Sequence, residues 1–158
     1  MHKVKKIMAA CDFSEYAPRI VSYAIDLAKE LKATLIVVNI INQRDLDMIQ
    51  KVAAEFSEFN AAKYLADQER ERLELMDNLV NDAGGTGLDL HKVIRVGVPF
   101  RALLQVIEDQ GADMLVMGTK GRGNLAGMLF GSTAEKVFRH CPIPLLSIRA
   151  EKNSARES

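Results

Sequence analysis

Apolar positions along the chain alternate between short β-branched runs and longer stretches with helical spacing. Residues 4–10 form one short run, followed by a segment in which Ala17, Ile20, Val21, Ala24, Leu27, Ala28 and Leu31 recur on one helix face. Pro18 stands in the first turn of that helix, where a missing N–H costs little. Residues 34–41 are almost continuously apolar, the pattern of a strand covered on both faces. Residues 42–63 are less regular and only weakly periodic. A long helix is predicted over 64–83, with Leu65, Leu73, Met76, Leu79, Val80 and Ala83 facing inward. Gly84-Gly85-Thr86-Gly87 stops it, because glycine accepts the left-handed cap conformation without steric penalty.

The alternation continues to the end of the chain. Residues 88–96 predict a third strand, and Gly97-Val98-Pro99 turns into a short helix carrying Leu103, Leu104, Val106 and Ile107. Gly111 ends that helix. Residues 114–117 are wholly apolar and predict a fourth strand placed centrally in the sheet. A glycine-rich loop leads to a helix over Ser132–His140 and a fifth strand over 144–149. Such alternation requires right-handed crossovers, so the expected fold is α/β: a single doubly wound five-stranded parallel sheet with helices on both faces. If the first strand packs against the fourth, the strand order is 3-2-1-4-5 and reverses between those two. Ligands in such sheets bind outside the carboxyl ends of the strands at the reversal.

Composition narrows the class. The chain has 158 residues, 48% hydrophobic and 27% charged, which fits one domain over 1–150 and a polar, disordered tail over 151–158. Lys+Arg 21 balance Asp+Glu 21, so no global basic field is available for nucleic acid. No apolar run reaches the roughly 20 residues that cross a bilayer. The apolar stretch near the N-terminus is too short for a secretory signal. Cys11 and Cys141 are far apart and make neither a disulfide framework nor a metal-ligand spacing. The expectation is a cytoplasmic protein with no membrane and no nucleic-acid partner.

The strand reversal selects two segments for inspection: Ala10-Cys11-Asp12-Phe13-Ser14 and the loop from Gly118 to Thr133. Five of the ten glycines (118, 121, 123, 127 and 131) fall in that loop and its exit. Residues 114–134 contain no acid, whereas Lys120 and Arg122 are basic. Glycines let backbone N–H groups approach a ligand, and the next helix presents its positive end, so the segment has the chemistry of a phosphate cradle. The P-loop does not fit, because its Gly-Lys-Ser/Thr is replaced by Gly123-Asn124. The dinucleotide fingerprint belongs after the first strand, where this chain has Cys11-Asp12-Phe13.

The spacing Gly118, two residues, Gly121, nine residues, Gly131-Ser132 resembles the nucleotide-binding pattern of the universal stress proteins. Asp12-Phe13-Ser14, Gly97-x-Pro99 and Cys141-Pro142-Ile143-Pro144 extend the resemblance over nearly the whole chain. It implies an adenine nucleotide alpha hydrolase-like fold binding ATP (or ADP or AMP), with Mg2+ or Mn2+ carried by the nucleotide. By the same resemblance, Asp12 lies near the ribose beside Ala10 and Cys11, and Ile40 meets the adenine. Met117 and Gly118 lie near the sugar and phosphates. Gly121, Gly131, Ser132 and Thr133 match the triphosphate positions, and Arg122 neighbours them where members vary. Family members pair their last strands, which implies a homodimer through Leu145–Ile148; a protein partner is unidentified. Cys11 departs from the small or hydroxylated residue more usual there.

Simpler roles compete for the same residues. Ser132-Thr133-Ala134-Glu135 is a capping box that needs no ligand. Asp12 or Ser14 would serve as an N-cap of the first helix. Cys11 is a reactive thiol if the nearby helix lowers its pKa, and a small buried hydrophobe otherwise. The helix spanning 67–82 carries six acids and two bases, Arg70 and Arg72, as a solvated face. No catalytic residue is assigned, because no general base, nucleophile or acidic pair accompanies the loop. The metal ligands are left open. The expected function is a nucleotide-dependent regulatory module of the stress response. The alternatives are a slow ATP hydrolase, or a dimeric scaffold without obligatory nucleotide that uses segment 42–63 as a partner surface.

Overall fold

Each apolar run of the sequence becomes a strand of one parallel sheet. The computed structural model describes residues 2–56, 58–121 and 130–150. Its elements are β1 (Lys6–Ala10), α1 (Ala17–Leu31), β2 (Thr34–Asn42), α2 (Gln43–Ala53), α3 (Ala61–Asp82), β3 (Leu90–Gly97), α4 (Pro99–Gln110), β4 (Met114–Gly118), α5 (Ser132–His140) and β5 (Leu145–Ile148). The five strands run in the order β3-β2-β1-β4-β5, every neighbouring pair parallel, as the pattern predicts. β1 occupies the middle, and the wholly apolar β4 lies between it and β5.

Side chains alternate between the two faces of the sheet, so each strand feeds two cores. Ile7, Ala9, Leu35, Val37 and Val116 pack with α1 and with Met76 and Val80 of α3. Met8, Ile36, Val38, Leu115 and Met117 pack with Leu103, Val106 and Ile107 of α4 and with Ala134 and Val137 of α5. Burial on both sides explains why β2 reads as an apolar run broken only at Asn39. The strand starts at residue 6 rather than 4 because the Asp113 carboxylate takes the Lys5 and Lys6 N–H groups, at 2.8 and 2.9 Å.

Two helix boundaries differ from the sequence expectation. The irregular stretch 42–63 holds α2, which begins where the Asn42 side chain accepts the Arg44 N–H at 3.0 Å. Only Leu46 and Ala53 of this helix are buried, although Leu46, Ile49, Val52 and Ala53 do recur at helical spacing among its polar residues. α3 begins at Ala61, earlier than 64, because Asn60 caps it by accepting the Lys63 N–H at 3.1 Å. Gly84 and Gly87 take the positive φ values (79° and 89°) expected after α3, and Gly111 (62°) closes α4. Among the described residues no helix is long and apolar enough to cross a membrane. The tail 151–158 and Arg122 lie outside the described residues.

Candidate functional site

The chain leaves β1 through a strained corner. Phe13 has φ of 57°, a left-handed conformation that few side-chain-bearing residues adopt. The corner is held by two side chains acting in series. Asp12 Oδ1 accepts the Ser14 N–H at 3.0 Å, and Ser14 Oγ accepts the Tyr16 N–H at 3.3 Å. Neither Asp12 nor Ser14 caps α1, the simpler role open to them; its N-cap is Tyr16, with no side-chain capping bond. The left-handed turn uses up both acceptors before the helix begins. It also leaves the second Asp12 oxygen, Oδ2, facing the loop after β4.

That loop fits against Asp12 only because it carries glycine. A Cβ added to Gly121 would overlap Asp12 Oδ2. A Cβ on Gly118 would stand 2.7 Å from Ile20 Cδ1, so the end of β4 sits directly on α1. The loop returns where the Gly131 N–H donates to the Thr119 carbonyl at 2.7 Å, bringing the start of α5 beside the end of β4.

Gly131, not Ser132, is the N-cap of α5, with φ of −71° and ψ of 163°. The capping box is therefore not formed. Ser132 is already helical, and the Glu135 carboxylate pairs with Arg139 at 3.1 Å instead of reaching back. The return bond to Thr119 holds Gly131 in extended geometry, and the helix starts one residue earlier, at the residue expected to cap it. As at any helix start, the N–H groups of the first turn lack intrahelical acceptors. Such a helix start favours negative charge.

Ala10, Cys11, Asp12, Ile40, Met117, Gly118, Gly121, Gly131, Ser132 and Thr133 all line one cleft of about 350 Å³ at the strand reversal. The volume lies within the usual range for small-ligand sites. Lys120 joins them. One side of the cleft is the glycine-lined mouth of α5; the rest of the lining comes from the end of β2, the first turn of α2, Arg72 in the middle of α3, and Pro99 and Leu103 of α4.

The far end holds residues that the sequence reading left out. Asn39 is 3% exposed, and its amide bridges two elements. Its Nδ2 donates to the Cys11 carbonyl at 2.7 Å, while its Oδ1 accepts from Arg72 Nη1 at 2.6 Å. Arg72 thus enters the cleft wall from α3 rather than belonging to a solvated face. Asn42 and Asp45 complete this end. The first turn of segment 42–63 therefore folds over the cleft, whereas Met48, Val52 and Phe56 further along are more than half exposed. Both missed residues carried a signal. Asn39 interrupts an apolar strand, and Arg72 lies on the same helical stripe as Met76 and Val80.

Cys11 is a buried small side chain and not an activated thiol. Desolvation dominates and raises its pKa to about 11, with the Asp12 charge adding to the rise against a lowering backbone bond from Phe13. At pH 8 about one thiol in a thousand would be ionised. Ellman's reagent is expected to modify Cys141, which is half-buried, and to reach Cys11 only after denaturation. Two fast-reacting thiols in the native protein would contradict this assignment. Among the described residues no group of three or more His, Cys, Asp or Glu could hold a metal ion by itself.

Comparison with known proteins places this geometry in a family. A universal stress protein of Methanocaldococcus jannaschii is 28% identical over 163 residues, covering 95% of this chain and 97% of the relative. The solved structure of that same protein superposes with a TM-score of 0.75 at 24% identity, covering 96% and 99% of the two chains. A universal stress protein solved in complex with cAMP superposes with a TM-score of 0.62 at 22% identity, covering 95% and 100%. One from Archaeoglobus fulgidus, solved in complex with dAMP, has a TM-score of 0.62 at 17% identity and covers 94% and 99%. The family model for universal stress proteins matches residues 3–149. The chain belongs to the universal stress protein family.

Proposed function

We propose that this protein is a regulatory module that binds ATP, ADP or AMP in the cleft between the ends of β1 and β4. The observation that carries the reading is the juxtaposition of Asp12, Gly121 and the open N-terminus of α5 in one cavity. The backbone N–H groups of Ser132 and Thr133, with the Ser132 hydroxyl and Lys120, suit the phosphates. Asp12 suits a ribose hydroxyl or a cation carried by the phosphates. Relatives solved with cAMP and dAMP support an adenine nucleotide. Mg2+ or Mn2+ would arrive with the nucleotide, since Asp12 and the phosphate oxygens together offer a hard, oxygen-only donor set.

Residues 1–150 act as the binding domain in the cytoplasm, and binding changes the surface offered to a partner. β5 is an edge strand, and a second copy pairing along Leu145–Ile148 would cover its open side. Among the described residues the phosphate end of the cleft supplies binding groups and, apart from Asp12, no carboxylate or imidazole to act as a general base, so the reading is of a binding module and not of an efficient hydrolase. Protein purified without added ligand, denatured and chromatographed, is expected to release an adenine nucleotide. Mg-ATP added to emptied protein is expected to raise the melting temperature. The absence of both released nucleotide and a thermal shift would overturn the reading.

A further inference from the structure

We propose that Arg72 is the specificity-determining residue for the base, acting at the end of the cleft opposite the phosphate cradle. This inference rests on the nucleotide reading above and deepens it. With the phosphates at the mouth of α5, the base fits against the remaining lining: the end of β2, the first turn of α2, Arg72 of α3, and Pro99 and Leu103 of α4. Arg72 stands in that wall, half-buried, with Asn39, Asn42 and Asp45.

Its position is fixed from behind. Arg72 Nη1 donates to Asn39 Oδ1 at 2.6 Å, and Asn39 Nδ2 is tied at 2.7 Å to the carbonyl of Cys11. That carbonyl belongs to the same β1 corner that carries Asp12. The guanidinium is therefore referenced to the site's own backbone, although it comes from a helix 33 residues further along the chain. A planar cation held in this way offers N–H donors and a π-facing surface, and no acceptor. It favours a base that turns a ring nitrogen or carbonyl oxygen toward α3, and it disfavours an amino group there. Asp45, on the adjacent α2, supplies the complementary acceptor for an amino group on another edge. A cation used only to tie α3 to the sheet would need no place in the cleft wall.

The test separates the base from the phosphates. Binding of Mg-ATP and of inorganic triphosphate is measured by calorimetry for the native protein, Arg72→Met and Arg72→Lys. Methionine keeps the apolar stem and removes the cation, and the melting temperature of each variant reports folding. Arg72→Met is expected to weaken ATP about tenfold and to leave triphosphate within about twofold. Arg72→Lys, a point charge without the planar fork, is expected to restore only part of the ATP affinity. Equal losses for both ligands would show that Arg72 merely holds the fold, and unchanged ATP affinity would remove it from the base site. Either result overturns the inference while leaving the nucleotide reading intact. If native protein binds neither ligand, the nucleotide reading itself fails and the inference falls with it.

Discussion

Gly121→Ala is expected to weaken nucleotide binding by about tenfold or more while shifting the melting temperature of the empty protein by only a few degrees. The added methyl group falls on Asp12 Oδ2. Two escapes exist, and both damage the site. Asp12 can rotate away, but its other oxygen is engaged by the Ser14 N–H at 3.0 Å and that turn would open. Otherwise the 118–121 segment must retreat from β1, and with it the wall of the phosphate end. Neither escape breaches the buried cores, which explains why stability is spared.

Gly131→Ala is the matched control. Its Cβ would meet nothing nearer than the Thr119 carbonyl at 3.8 Å, and its φ of −71° is open to alanine. It is expected to cost binding far less than Gly121→Ala. Titration of the three proteins with Mg-ATP checks the order. Native-like affinity in Gly121→Ala would mean that the Asp12–Gly121 contact plays no part in the site.

Much of this arrangement was legible in the sequence, for identifiable physical reasons. Strands buried on both faces must be apolar throughout, so β2 and β4 announce themselves and the reversal at β1 and β4 follows. Every expected site residue among those described lines the cleft. The misreadings share another cause, which is that a local pattern was decided by a distant partner. Ser132-Thr133-Ala134-Glu135 satisfies the capping-box rule, yet the bond from Gly131 to Thr119 sets the helix start one residue earlier. Arg72 was averaged into an acidic helix, although its stripe with Met76 and Val80 turns it inward toward Asn39.

The largest effect on stability is expected from Asn39→Leu, a loss of about 2–4 kcal/mol from a total that for ordinary domains is about 5–15 kcal/mol. Leucine matches asparagine in branching and heavy-atom count, so no cavity forms, and its bulkier methyl groups add some crowding. The rest of the cost comes from what the amide leaves behind. The Cys11 carbonyl loses its bond from Nδ2, and the Arg72 guanidinium loses its acceptor at a half-buried position. A buried acceptor without its donor costs about 1–3 kcal/mol, and a charged donor deprived of its acceptor costs at least as much. Asn39→Asp is expected to fall between leucine and native. Its carboxylate still receives Arg72, but it has no proton to give the Cys11 carbonyl. Urea unfolding followed by circular dichroism measures both, with an unchanged slope showing that the midpoint reports stability. Combining Asn39→Leu with Arg72→Met should then cost less than the sum of the two single changes, since the second removes a donor whose bond to residue 39 the first has already broken. Strict additivity, or a leucine variant within about 0.5 kcal/mol of native, would show that the Cys11–Asn39–Arg72 chain does not hold β1 to α3.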